Sequence, residues 1–322
     1  MGTDGYSLYI DEISRLRMTN KLKNTILVAG ATGDLGGRIA KALLGKDADV
    51  RAVVRASSDP TKVKALETLG VAVFTVNMDN VDALAAVCKG ADCVVSALSG
   101  FRNTVIDTQR VLLDAAVAAG VPRFIPSDYS LDFTRFSDGE NRNLDLRREF
   151  HTYLDKAPIA ATSIFNGAFA ELITGDMPLI LFKQNLILYW GDTDHRMSFT
   201  TMDDTAEFTV NAALDPATPR YLRIAGDQLS PREIQAVVSG VYREKFRLFR
   251  PGSPGLLSFL TKVARTVAPG EGELYPAWQG MQYMRNMIDD RSNIERLDNQ
   301  RYPSMHWTTI KDVLRAHQAA NN

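Results

Sequence analysis

From Asn24 onward, short runs of apolar residues alternate with stretches in which apolar side chains recur every three or four positions. Runs of the first kind read as buried strands and stretches of the second as amphipathic helices. Thr25 to Ala29 opens the series as a strand, and Leu35, Ile39, Ala40, Leu43 and Leu44 mark one side of the helix that follows. The pattern continues with a strand over Asp49 to Val54, a helix from Thr61 to Leu69, a strand over Val71 to Val76, a helix over Val81 to Cys88 and a strand over Ala91 to Ala97. A long helix from Thr104 to Ala119 stops at Gly120, a residue that takes the left-handed conformation freely. Strand five covers Arg123 to Pro126, and a polar loop from Asp128 to Asn143 leads into a helix over Leu144 to Leu154. Strand six spans Ala160 to Phe165. Strands alternating with helices in this order predict an α/β fold, a Rossmann-type doubly wound parallel sheet.

Beyond Phe169 the pattern changes. Leu179 to Phe182 and Leu186 to Trp190 flank Lys183-Gln184-Asn185 and predict an antiparallel hairpin. Met202-Asp203-Asp204 caps a helix that runs to Leu214, with the acids near its positive end. A strand over Tyr221 to Ala225, a helix from Ser230-Pro231, a strand over Phe246 to Phe249 and two helical patterns between Pro251 and Trp278 follow. The expected organisation is an extension over 1–23, a dinucleotide-type domain over 24–169, and a smaller α+β substrate lobe over 170–322 with segments returning to the first domain. In the extension, Ile10, Ile13 and Leu16 fit a short amphipathic helix, and a plain tail fits equally well.

The chain has 45% apolar residues and mean hydropathy near zero, which suits a buried core. Lys and Arg number 37 against 38 acids, so no global charge drives it to nucleic acid or an anionic membrane. Cys88 and Cys93 form neither a metal pattern nor a redox pair, and the first residues lack a signal peptide's hydrophobic centre. These features predict a cytoplasmic protein that meets a small apolar or aromatic molecule rather than nucleic acid or membrane, and they leave a homodimer open.

The first strand runs straight into Gly30-Ala31-Thr32-Gly33-Asp34-Leu35-Gly36-Gly37, a GxxGxxG spacing that opens a helix. Gly30 permits the sharp turn, Gly33 lets backbone N–H groups approach a pyrophosphate, and Gly36 lets helix and strand pack closely. Phosphates then sit at the positive end of the helix, where Thr32 can add a hydroxyl. Arg55 ends strand two, where an acid would select NAD and an arginine pairs with a 2′-phosphate, so the expected cofactor is NADP(H). Ser57 and Lys62 can add contacts. Asp79, after strand three, is placed to reach the adenine edge or to cap the next helix.

The glycine turn, Arg55, Phe124-Ile125-Pro126-Ser127-Asp128-Tyr129, Asn166-Gly167-Ala168-Phe169 and Phe199-Thr200-Thr201-Met202-Asp203-Asp204 together resemble the NmrA-like, or isoflavone-reductase-like, branch of the atypical short-chain dehydrogenases. The resemblance covers roughly Asn24 to Ala316, including Leu297 to Pro303. It implies either an NADPH-dependent reductase of aromatic, quinone-, enone- or benzylic-ether-like compounds or a redox sensor that binds the dinucleotide without turnover. It further implies that Ser96, Ala97 and Leu98 line the cofactor channel, that Ser127 lies near the nicotinamide, and that Asn166, Gly167 and Phe169 border the substrate face.

Ordinary short-chain dehydrogenases pair a Tyr with a Lys four residues later, and no Tyr here has that partner; Tyr153 and Lys156 stand three apart. The resembled reductases carry a Lys on the helix after strand five, and the equivalent residue here is Arg147. An arginine stays charged, so it steadies an anion but is a poor proton donor. The expected donors are Tyr129, His151 or a bound water. Phe133 and Phe136 fit either as pocket walls or as anchors of the loop. His195, without a second His nearby, is no metal site, and Ser127-Asp128 lacks the context of a hydrolase nucleophile.

Overall fold

The structure is a computed structural model and describes residues 23–175, 177 and 179–321. The helix expected over Ile10, Ile13 and Leu16 lies outside these residues.

Strands β1 (Thr25–Ala29), β2 (Asp49–Val54), β3 (Ala72–Thr75), β4 (Cys93–Ser96), β5 (Arg123–Ile125) and β6 (Ala160–Ala161) form a parallel sheet in the order β3-β2-β1-β4-β5-β6. The apolar run of β1 follows from burial on both faces. Ile26 and Val28 enter one core and Leu27 and Ala29 the other, as the two-residue period of a strand requires. Helices α1 (Asp34–Gly45) and α2 (Pro60–Leu69) cover the first face, and α3 (Val81–Cys88), α4 (Gln109–Ala118) and α5 (Arg142–Leu154) the second. Asp59 caps α2, Asn80 caps α3 and Asn141 caps α5, each with its side-chain oxygen on a first-turn N–H. The chain reverses its direction of travel across the sheet between β1 and β4, the switch point at which such sheets bind ligands.

Two expected elements differ. The long helix ending at Gly120 (φ +69°) opens with a π-helical stretch over Asn103–Thr108 before α4 begins. Strand six divides at Thr162: β6 stays in the main sheet, while β7 (Ser163–Phe165) turns away to pair in parallel with β12 (Tyr221–Arg223). Apolar periodicity cannot register this break, because both halves remain apolar.

The hairpin appears as expected, with β9 (Ile180–Leu181) and β10 (Leu186–Leu188) joined through Asn185 in the left-handed region (φ +55°), and β14 (Arg247–Phe249) adds in parallel to β10. A further small sheet holds β8 (Ala168–Phe169), β11 (Met197–Thr200) and β13 (Asp227–Leu229). Helix α6 (Met202–Leu214) returns to pack on α1, and its cap is Thr201, whose hydroxyl accepts from the Asp204 N–H; Asp203 and Asp204 are first-turn residues rather than the cap. Ser230 and Glu233 close a capping box on α7 (Pro231–Tyr242). The Gly- and Pro-rich region folds into α8 (Pro254–Val267) and α9 (Ala277–Met287), and α10 (Ile310–Asn321) packs on α7. A third core, including Phe133, Phe165, Phe199, Phe246 and Ile310, joins these pieces beside the C-terminal ends of the sheet. No helix among the described residues is long and apolar enough to cross a membrane.

Candidate active site at the carboxyl edge of the sheet

The glycine turn is tight for stated steric reasons. Gly30 has φ +86°, and a Cβ there would stand 2.6 Å from the Ala97 carbonyl oxygen; one on Gly36 would stand 2.1 Å from the Gly30 carbonyl oxygen. Gly33, whose N–H donates to Gly30 O (2.9 Å), caps α1 without any side chain, so the first-turn N–H groups stay open to an anion. Thr32 and Leu35 are half-buried beside the turn. Asp34 is exposed and its carboxylate accepts from Arg38 Nε (2.8 Å), while Arg38 Nη1 also reaches Asp203 (2.6 Å). The single Arg38 charge is thereby shared between two carboxylates and offsets part of the negative charge beside the turn.

At the end of β2, the Arg55 N–H donates to Ser58 Oγ (3.1 Å) and Arg55 O accepts from the Ser58 N–H (3.0 Å). The guanidinium is exposed and pairs with no carboxylate among the described residues. Ser58, rather than Ser57, shapes this turn. Asp79 is exposed and its N–H donates to Asn77 Oδ1 (3.1 Å); since Asn80 caps α3, the Asp79 carboxylate has no capping duty.

Ser96 ends β4 fully buried, with no partner for its hydroxyl. Ala97 and Leu98 follow, half-buried, and the Leu98 carbonyl accepts from Ser127 Oγ (2.7 Å). Ser127 is held twice more: its N–H donates to Gln109 Oε1 (2.9 Å) and its carbonyl accepts from Arg147 Nε (3.1 Å). Asn166 is fully buried and both atoms of its side-chain amide lack partners, while Gly167 (φ +69°) could not hold a Cβ against Ser198. Unpaired buried polar groups are costly. Orphans at Ser96 and Asn166, the open N–H groups of α1 and the unpaired Arg55 all lie along the carboxyl edge and suit a polar, multiply charged ligand such as a dinucleotide phosphate.

Two expectations about the chemistry need correction. Tyr129 does not face the cleft. It is buried in the core between the sheet and α6, with Cys93, Ile125 and Phe208, and burial pushes its phenol well above the ordinary range. His151 is also buried. Its Nε2 lies 2.7 Å from Asp128 Oδ2 and its Nδ1 3.2 Å from Arg220 Nη2. A guanidinium only donates, so Nδ1 accepts and Nε2–H donates to Asp128; both ring nitrogens are taken up inside the core, which leaves neither to meet a substrate. Phe133 and Phe136 are core anchors, with Phe133 edge-on to His151 at 4.8 Å. Tyr153 lies under the Arg110 guanidinium (4.6 Å) and Lys156 is exposed, so that pair builds no site. His195 bonds the Met287 carbonyl (3.0 Å), and no metal-type cluster occurs among the described residues.

Arg147 does reach the site. Nε holds Ser127 and Nη1 donates to the Asn143 carbonyl (2.9 Å). Gln109 and Asn143 are not legible as site residues in the sequence, because isolated Gln and Asn residues carry no spacing signal. Asp128 is fully buried: burial alone would raise its pKa, but His151, Ser163 and the Arg147 charge outweigh that and hold the carboxyl below its usual range.

The profile of the NmrA-like family matches residues 22–251. The bifunctional pinoresinol-lariciresinol reductase of Linum perenne is 26% identical over 314 residues, covering 91% of this chain and 98% of that protein. Pinoresinol reductase 2 of Arabidopsis thaliana is 30% identical over 229 residues, covering 66% of this chain and 72% of its own. The solved structure of AtPrR2 with NADP+ and (+)pinoresinol superposes with a TM-score of 0.74 at 23% identity, covering 91% of this chain and 98% of that one, a likeness that shows the fold.

Proposed function

The chain belongs to the NmrA-like family, and we propose that it is an NADPH-dependent reductase of an apolar, aromatic or conjugated small molecule, with a benzylic ether as the leading substrate type. The observation that carries this reading is the carboxyl edge itself: a side-chain-free helix start next to an unpaired Arg55, with polar orphans at Ser96 and Asn166 farther along. Relatives that act on pinoresinol and lariciresinol support the substrate class, and the NADP+ complex of a fold neighbour supports the cofactor.

Gly30, Thr32, Gly33, Leu35 and Gly36 hold the pyrophosphate through backbone N–H groups and one hydroxyl, and Asp34 contributes its N–H while Arg38 pairs with its side chain. Arg55 takes the 2′-phosphate and Asp79 the adenine edge. Ser96, Ala97, Leu98, Ser127 and Asn166 seat the nicotinamide end. When bound, the reduced dinucleotide supplies a hydride. Arg147 steadies negative charge that develops on substrate oxygen. In this reading 24–169 seats the dinucleotide and 170–322 mainly shapes the substrate side. A cytoplasmic enzyme suits two free thiols that burial pushes up to about 11 at Cys88 and about 12 at Cys93, and it acts as a monomer or homodimer.

A second reading rests on Arg147, which stands where related reductases carry lysine: a dinucleotide-binding redox sensor without turnover. Fluorescence titration with NADPH, followed by its consumption over a panel of benzylic ethers, enones and quinones, separates the two. Binding with consumption of at least one compound is expected; binding with none consumed would replace the reductase by the sensor.

A further inference from the structure

Over the whole chain the charges balance, 37 Lys and Arg against 38 acids, but they do not balance along every part of it. From 245 to 270 the sequence carries Lys245, Arg247, Arg250, Lys262 and Arg265 and no Asp or Glu. All five are exposed, and none forms an ion pair among the described residues. Arg265 lies over the Trp278 ring (5.2 Å), and the other four stand in solvent.

The same stretch gathers exposed apolar side chains. Of the ten large hydrophobic residues that are exposed among the described residues, seven fall between 249 and 275, and five of these belong to α8. Leu256, Phe259, Leu260, Val263 and Val267, between 40% and 77% exposed, recur every three or four positions and so share one face of the helix. Leu257 and Thr261, offset from that stripe round the helix, are the buried pair, with Leu257 in the third core. Helix α8 is therefore apolar on two sides, one in the core and one toward solvent. Ser253 caps it and Pro254 opens its first turn, so the outer stripe is preformed without any partner. A contiguous apolar face of this kind marks an interaction surface.

Charge decides what covers it. A two-fold contact lays a patch on itself, so a second copy would set like charges against each other, Lys262 foremost, with no acid on the stretch to answer them. Nucleic acid offers phosphates but no apolar phase for Phe259 or Val267. An anionic lipid bilayer offers both. We propose that α8 docks the protein on an anionic phospholipid surface, lying in the plane of the interface with its outer stripe sunk below the headgroups. Lys262 flanks the stripe between Phe259 and Val263, where its stem can lie along apolar surface while its ammonium meets a headgroup. Lys245, Arg247 and Arg250, just ahead of the helix, add attraction at longer range. The contact is peripheral, since α8 has 14 residues and no described helix is long and apolar enough to cross a membrane.

Co-sedimentation of the full chain with vesicles tests the docking. The wild type is expected to bind phosphatidylcholine vesicles holding about 30% phosphatidylserine about tenfold or more tightly than phosphatidylcholine alone, and to be released by salt. Phe259→Glu with Val263→Glu, both on the solvent side, is expected to lose about tenfold or more of that affinity, with the circular-dichroism spectrum and NADPH affinity unchanged. Arg250→Glu with Lys262→Glu is expected to lose a similar factor on the anionic vesicles only. Wild type left in the supernatant overturns the proposal and leaves the dinucleotide site standing. So does docking that the Phe259→Glu, Val263→Glu pair leaves intact. A dimer in light scattering, dissolved by the same pair and indifferent to vesicles, also overturns it and gives the face to a second copy.

Discussion

His151 and Arg147 stand one turn apart on α5, both more than nine-tenths buried, and their surroundings divide structure from chemistry. Around His151 the polar groups answer one another, apart from Asp128 Oδ1, which is buried without a partner. Asp128 accepts from His151 and from Ser163 Oγ (2.6 Å), Arg220 Nη1 donates to Ser163 (2.6 Å), and Arg220 pairs outward with Asp155 (2.9 Å). This cluster joins β5, α5, β7 and the residue before β12, and it explains why strand six breaks at Thr162: Ser163 is drawn out of the main sheet by groups that need its hydroxyl. Around Arg147, by contrast, Nε and Nη1 go to backbone carbonyls, and no ion pair forms with a carboxylate among the described residues. A cluster closed on itself holds the fold; one left open points to a ligand.

The largest way to break this contrast is Asp128→Ala. It leaves His151 and Ser163 without their shared acceptor and is expected to cost about 3 to 5 kcal/mol in urea unfolding; a loss under about 1 kcal/mol would mean that the cluster is not structural. Arg147→Met should do the reverse. Exchanging an unpaired buried charge for an apolar chain of similar length is expected to change stability by no more than about 1 kcal/mol while NADPH turnover falls about 100-fold. Equal damage to both properties would erase the distinction. Arg55→Ala, on a second unpaired arginine at the other end of the site, is expected to weaken NADPH binding on the order of tenfold to a hundredfold and to leave NADH binding alone. An unaltered preference for NADPH removes Arg55 from the 2′-phosphate.

The smallest effect concerns acid. The folded pKa of Asp128 is lowered, so its contribution to stability is complete above the unfolded value near 3.9 and is lost as pH falls through the folded value below it. Unfolding curves of the wild type should therefore steepen below about pH 4, and Asp128→Asn should flatten that limb. A limb of the same slope in both proteins would place the acid sensitivity elsewhere.

Much of this site was legible before any coordinates. The glycine turn is written locally, since Gly30 needs a positive φ and neither Gly30 nor Gly36 can carry a Cβ. Arg55 was legible because its place at the end of β2 follows from counting strands. Ser230-Pro231-Arg232-Glu233 announced its own capping box. The α6 cap was misplaced by two to three residues, because Thr201, Asp203 and Asp204 are all good capping types and only backbone angles decide among them. Tyr129 is a candidate donor because it follows β5 and His151 because it stands one turn beyond Arg147, yet neither position says on which side of a sheet or helix a ring lands.

By itself, then, the sequence determined the parallel sheet, the tight glycine turn after β1 and the place of Arg55 at the end of β2, since strand period, helix period and the steric demands of glycine act within a few residues. Only the tertiary structure decided which polar groups are closed into the core and which stay open. That depends on partners brought from far along the chain, such as Arg220 to His151 and Ser163 to Asp128, which no local pattern announces.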